Sequence, residues 1–260
     1  MRAFAVWALL AAPVWSGEVF DLSALPAADI VIVGEVHDNP AHHRHQAAAV
    51  FALQPRAIVF EMLTPEQAAR VTDDNRSDPG LGKVLGWQEA GWPDFAMYQP
   101  IFAASSAAIY GAALGPDALK GRRDPATLLP DPAFGLAEPL TPDDQAAREA
   151  EQATSHCDAL PVDLLPYMVA VQRLRDASFA AMALDAFKAH GGPVVVITGT
   201  GHARRDQGIP AALARAAPAV TVLSVGQLES DPGADAPYDL WLISAAPARP
   251  DPCAAFGTGN

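Results

Sequence analysis

Basic side chains are scarce in this sequence. The chain of 260 residues carries 17 Lys and Arg against 30 Asp and Glu, a formal net charge of −13, and its Arg residues adjoin only at Arg122-Arg123 and Arg204-Arg205. Sequence-independent nucleic-acid binding needs a basic footprint to displace phosphate counterions, so no nucleic-acid partner is expected. Gly (19) and Pro (24) stay below the share found in low-complexity or collagen-like chains, and no repeat recurs at a solenoid period. Half of the residues are hydrophobic and 7% are aromatic, enough for one large core or two modest ones and too much for disorder.

Long apolar runs are also missing. The longest stands at the N-terminus, where MRAFAVWALLAAPVWS places one Arg ahead of an apolar stretch and then small residues. This is the pattern of a secretory signal peptide over residues 1–16, with cleavage before Gly17. It is short for a bilayer span, which needs roughly twenty apolar residues, so no membrane span is expected in the mature chain of residues 17–260. The implied location is periplasmic or secreted. There an oxidising environment favours joining the only two cysteines, Cys157 and Cys253, the alternative being two unpaired thiols.

What the chain does have is alternation. Short β-branched runs at 29–33, 57–60, 194–198, 220–225 and 239–244, with a weaker one at 108–112, alternate with Ala-rich segments of helical length at 40–53, 65–70, 142–154, 164–190 and 209–216. The spacing predicts an α/β fold with a mainly parallel sheet flanked by helices. Between about 64 and 161 the strand signal fades, which reads as a helical insertion or small lobe within a single domain.

Three strand ends carry chemistry. The run D-I-V-I-V-G-E-V-H (29–37) ends in Gly34, Glu35 and His37, and Asn39 and Pro40 then open a helix with His42, His43 and His45 in its first turns. Four of the seven His in the chain thus fall between positions 37 and 45. A second strand delivers Glu61, and a third delivers His202 after Gly199 and Gly201. In open parallel sheets the crevice beyond the carboxyl ends of strands is where ligands sit, so these termini are expected to share one pocket. Glu35, His37, Glu61 and His202 suit a divalent metal such as Zn, Mn or Fe, or acid–base work on a polarised carbonyl. The alternative is that the carboxylates cap helices and the imidazoles satisfy buried carbonyls.

The segment GEVHDNPAHHRHQ (34–46) resembles the signature of the ChaN-like haem-binding uptake family, within the wider group of Tiki proteins, TraB proteins and erythromycin esterases. The resemblance continues through Phe60-Glu61-Met62, Trp92, Tyr98-Gln99-Pro100, His156-Cys157, the run from Val171 to Asp176, Gly199 to His202 and Arg249 to Cys253. It implies an exported haem-binding α/β protein in an iron-uptake setting, with haem as partner and a homodimer as its state. For the wider group it implies a metal-dependent hydrolase with Glu35, His37, Glu61 and His202 in the catalytic positions. Two features depart from the family: no Cys is placed for a lipid anchor, and Leu114-Gly115-Pro116-Asp117 lacks an expected Asn.

Haem requires an axial ligand and a flat apolar slot. Without a Cys-x-x-Cys-His motif, attachment must be noncovalent. Tyr98 is the first ligand choice, beside Trp87, Trp92, Phe95 and Phe102; His42 or His43 could face the same pocket, and Arg175-Asp176 could hold a propionate or orient a pocket His. The alternative for Tyr98 is an ordinary core tyrosine with a bonded hydroxyl.

Overall fold

The computed structural model describes residues 17–254 apart from Phe20, Pro116 and Pro252. The expected signal peptide therefore lies outside the described residues. Seven strands form one sheet: β1 (Gly17–Glu18), β2 (Ile30–Glu35), β3 (Ala57–Phe60), β4 (Ala108–Gly111), β5 (Val194–Gly199), β6 (Val222–Leu228) and β7 (Leu240–Ile243). Their spatial order is β1-β7-β6-β2-β5-β3-β4, and every pairing is parallel. This is the α/β architecture read from the sequence.

Residues of β2 alternate between two cores. Val31 and Val33 pack on one face with α1 (Pro40–Leu53), whereas Ile30 and Ile32 pack on the other with the alanines of α6 (Leu165–His190) and with Ile209 and Leu213 of α7 (Ile209–Ala216). Burial on both faces explains why β2, β3 and β5 read as unbroken apolar runs. Among the described residues, the stretch from Thr64 to Pro161 supplies four α-helices, α2 (Pro65–Ala68), α3 (Leu81–Leu85), α4 (Phe95–Ala103) and α5 (Pro142–Ser155), and two short 3-10 turns, and it also places β4 on the sheet edge beside β3. Cys157, just past α5, is bonded to Cys253 near the end of the chain, which decides between a bridge and two free thiols.

Strand direction gathers the polar strand ends in one place. Because all seven strands are parallel, the carboxyl ends of β2, β3 and β5 open on the same edge of the sheet, with Glu35 level with Gly199 across the β2–β5 ladder.

Candidate functional site

Glu35 is the last residue of β2 and is buried. Its Oε1 accepts from the Tyr98 hydroxyl at 2.5 Å and from His37 Nδ1 at 2.8 Å. Burial alone would raise this carboxyl, but the bonds from His37 and His43 outweigh it and pull it down to about 2. His43 Nδ1 lies 3.4 Å from Oε2 and donates to Gln46 Oε1 at 3.2 Å, while its Nε2 donates to the His37 carbonyl at 2.9 Å. Both nitrogens of His43 face acceptors, so despite burial its pKa is raised.

Glu61 follows β3 and is equally buried. Its Oε2 accepts from the Thr198 hydroxyl and the Gly199 N–H, each at 2.7 Å, and its Oε1 meets Arg175 at 2.7 Å and His202 Nε2 at 3.5 Å. His202 Nδ1 in turn donates to Asp176 Oδ1 at 2.5 Å. Burial lowers the pKa of His202, yet the two carboxylates on either side of it carry the balance upward. The expectation that Asp176 orients a pocket His describes this pair.

Gly199 lets the two halves meet. A Cβ there would stand 3.1 Å from His37 Nε2 and 3.6 Å from Glu61 Oε2, tighter than the imidazole could accept without moving. His37 Nε2 makes no hydrogen bond among the described residues, and the side chain is about a third exposed (34%), its ring edge-on to Trp92 at 5.2 Å. His37 is thus the one imidazole of the cluster oriented by a carboxylate through Nδ1 and open at Nε2.

Beside the cluster lies a cleft of about 300 Å³, walled by Trp92, Leu114, Leu119, Val171 and Phe179, with Glu61 and Arg175 on its polar side. The segment lacking the expected Asn therefore supplies apolar wall. Trp92 and Arg175, both read from the sequence as haem contacts, face this cleft. Tyr98 does not line it: its ring is fully buried on α4, and burial with the adjacent Glu35 pushes the phenol pKa strongly upward. His42 and His43 are likewise fully buried; His43 is bonded through both ring nitrogens and His42 through Nδ1 alone, its Nε2 having no hydrogen-bond partner among the described residues.

The four residues expected as metal ligands do not assemble as a ligand set. Glu35 is bonded to Tyr98 and His37, Glu61 to Thr198, Gly199 and Arg175, and His202 to Asp176, while His37 Nε2 stays open; no group of three or more His, Cys, Asp or Glu among the described residues is arranged to hold a metal ion. The arrangement lends the divalent-metal expectation no support, since the Glu61 carboxylate already faces Arg175 and His202.

Sequence reading missed Thr198 and the role of Gln172, whose Nε2 lies 3.1 Å from His202 Nδ1. A signal for Gln172 was present. Gln172 and Asp176 stand four apart on α6, one above the other, as do Arg175 and Phe179, the guanidinium lying 5.8 Å from the ring centre.

His42 offers a measurable consequence. Its Nδ1 accepts from the Val36 N–H at 2.9 Å, a bond that only an unprotonated nitrogen can accept, and burial holds its pKa down at about 4. Between pH 6.5 and about 4 the unfolded chain takes up a proton that the folded chain refuses, so stability falls as pH drops through this window. The expected loss at pH 4.5 is about 2–3 kcal/mol. His37, His43 and His202 are shifted the other way; their contributions are complete below 6.5 and fade only as pH rises through their folded values. Glu35 contributes above 4.5 and loses its share as pH falls toward about 2, below the His42 window. Urea unfolding at pH 7 and pH 4.5 checks this, with a flatter dependence expected in His42→Gln.

Most of the chain matches a known family. The family model for "Haem-binding uptake, Tiki superfamily, ChaN" covers residues 22–213, from ahead of β2 into α7. The chain belongs to the ChaN family. Its fold is similar to a solved structure described as cofacial haem binding to ChaN of Campylobacter jejuni, with a TM-score of 0.57 and 20% identity over 82% of this chain and 86% of that one. The type III effector HopBA1 is also matched, at a TM-score of 0.45 and 13% identity over 84% of this chain and 88% of the effector. No curated protein sequence matches the chain. The ChaN match spans Glu35, His37, Glu61, Tyr98, Arg175 and His202.

Proposed function

We propose that this protein binds haem noncovalently, as an exported homodimer serving haem or iron uptake. The family match over residues 22–213 is the observation that carries the reading. The cleft supports it, because a porphyrin is a flat apolar ring with an anionic edge. Trp92, Leu114, Leu119 and Phe179 offer the apolar wall, and Arg175, whose side chain is 37% exposed, offers a cation for a propionate. The net negative charge of the protein repels free haem at long range, so apolar contact and this local cation carry the binding.

Titration of the purified protein with hemin tests this. A saturable shift of the Soret band is expected, weakened about tenfold in Arg175→Ala if the guanidinium makes a charge-assisted bond. No shift and no saturation would overturn the proposal. Tyr98 can reach iron only after its hydroxyl leaves Glu35, so Tyr98→Phe is expected to leave the spectrum unchanged, and a lost charge-transfer band in that variant would assign it as the ligand.

A second reading rests on His37. An imidazole held through Nδ1 by a carboxylate and open at Nε2 beside a cleft is suited to proton transfer, with Arg175 placed to stabilise an oxyanion. Burial opposes the charged ring of His37, but Glu35 and Glu61 raise its pKa on balance, a direction that favours a general-acid role in hydrolysis. Turnover of a p-nitrophenyl ester, lost in His37→Ala while hemin still binds, would establish this activity beside haem binding.

A further inference from the structure

On the far side of α6 from the haem cleft, a smaller pocket of about 260 Å³ opens between α5, α6, α7 and the turn that follows Phe134. Arg148 from α5, Arg173 from α6 and Arg215 from α7 all line it. In a chain with 17 basic residues against 30 acidic ones, three guanidinium groups around one small pocket need something to offset their repulsion.

The carboxylates nearby offset it only in part. Arg215 is paired with Glu138. Asp176 also lines the pocket but is bonded to His202, and Asp206 and Glu151 are both bound to Arg204. Arg173 has no carboxylate partner; it donates to the backbone carbonyls of Gly135 at 3.0 Å and Glu138 at 2.9 Å, which fix its guanidinium in place. Burial, with Arg148 and Arg215 nearby, holds its pKa below the usual arginine value although Glu138 opposes this. Arg148 forms no hydrogen bond or ion pair among the described residues.

The wall is built to admit these groups. Gly135 has φ of +64°, and a Cβ on it would come within 2.5 Å of Arg215 Nε. Arg148, Asp176 and Gln207 also border an adjoining cleft of about 580 Å³, which leaves room for the remainder of a larger molecule.

We propose that this pocket binds a phosphate group between Arg148, Arg173 and Arg215. The planar forks of arginine match the oxygens of a phosphate dianion, and two of the three lack a carboxylate of their own. The pocket shares no lining residue with the haem cleft, so the two sites are separate.

Arg148 provides the test, since it holds nothing else in place. Calorimetric titration of the mature protein with inorganic phosphate, at constant ionic strength, is expected to show saturable binding that Arg148→Gln weakens about tenfold. A parallel titration with glycerol 3-phosphate distinguishes the sources: tighter binding than phosphate assigns a phosphorylated metabolite reaching into the adjoining cleft, and weaker binding assigns the free ion. Absence of saturable binding in the wild type, or equal affinities in wild type and Arg148→Gln, overturns the proposal. Hemin binding is expected to be the same in both proteins, so this result stands apart from the haem reading.

Discussion

Replacing Glu61 with Ala is expected to destabilise the protein by about 3–5 kcal/mol, the usual cost of removing one partner from a buried charge cluster. This carboxylate is 2% exposed and receives the Thr198 hydroxyl, the Gly199 N–H and the Arg175 guanidinium, with His202 close by. Its loss takes from His202 one of the two carboxylates that raise its pKa, and leaves the buried Gly199 N–H without its acceptor. Glu61→Gln retains one carbonyl oxygen and should fall between wild type and Glu61→Ala. Arg175→Ala removes the opposite charge but from a side chain over a third exposed, which water can replace, so about 1 kcal/mol or less is expected. Urea unfolding followed by tryptophan fluorescence orders the three variants. If Glu61→Ala cost no more than Arg175→Ala, the carboxylate would not be the keystone of the cluster.

The second large effect is expected from Cys253→Ser. The Cys157–Cys253 bond closes a loop with a sequence separation of 96, and cross-links that restrict so much unfolded chain commonly contribute about 2–4 kcal/mol. The wild type with reductant should unfold at the same urea concentration as the variant without it. Equal stability of oxidised and reduced wild type would show that the bridge restrains nothing. The tail it anchors also carries Arg249, which binds Asp38 and Glu229, and the Ala245 carbonyl, which accepts from Asn39 at 3.1 Å. Because Asn39 caps α1, the variant is expected to loosen the turn next to His37 as well as the tail itself.

Much of this architecture was legible in the sequence because burial on both faces leaves a plain mark. The apolar runs located β2, β3, β5, β6 and β7 to within a few residues, and Pro in the first or second helical position marked α1, α2, α5 and α7. The two-residue strand β1 left no pattern to find, being fixed by pairing with β7 alone. Helix α4 was hidden by Pro100 in its interior and by the polar, Gly-containing stretch ahead of it, although Asp94 caps it and Tyr98, Ile101 and Phe102 follow a helical period. In the site, strand ends pointed to Glu35, Glu61 and His202, since position along a parallel strand fixes which edge a residue reaches. What the sequence does not encode locally is the pairing of Tyr98 with Glu35, a contact across 63 positions that sends the expected haem ligand into the core. The excess of carboxylates and imidazoles suggested a metal; their mutual neutralisation becomes visible only once distances are known.

The strand order has a consequence for how the protein is made. β2 lies at the centre of the sheet, yet its two neighbours are β5 and β6, which come late in the chain. As the polypeptide emerges from the ribosome, this apolar strand appears early with both edges bare, and neither edge is covered until residues 194–225 have been synthesised. The sheet therefore cannot close stepwise from the N-terminus. The centre of the sheet is completed only once the last third of the chain has been made.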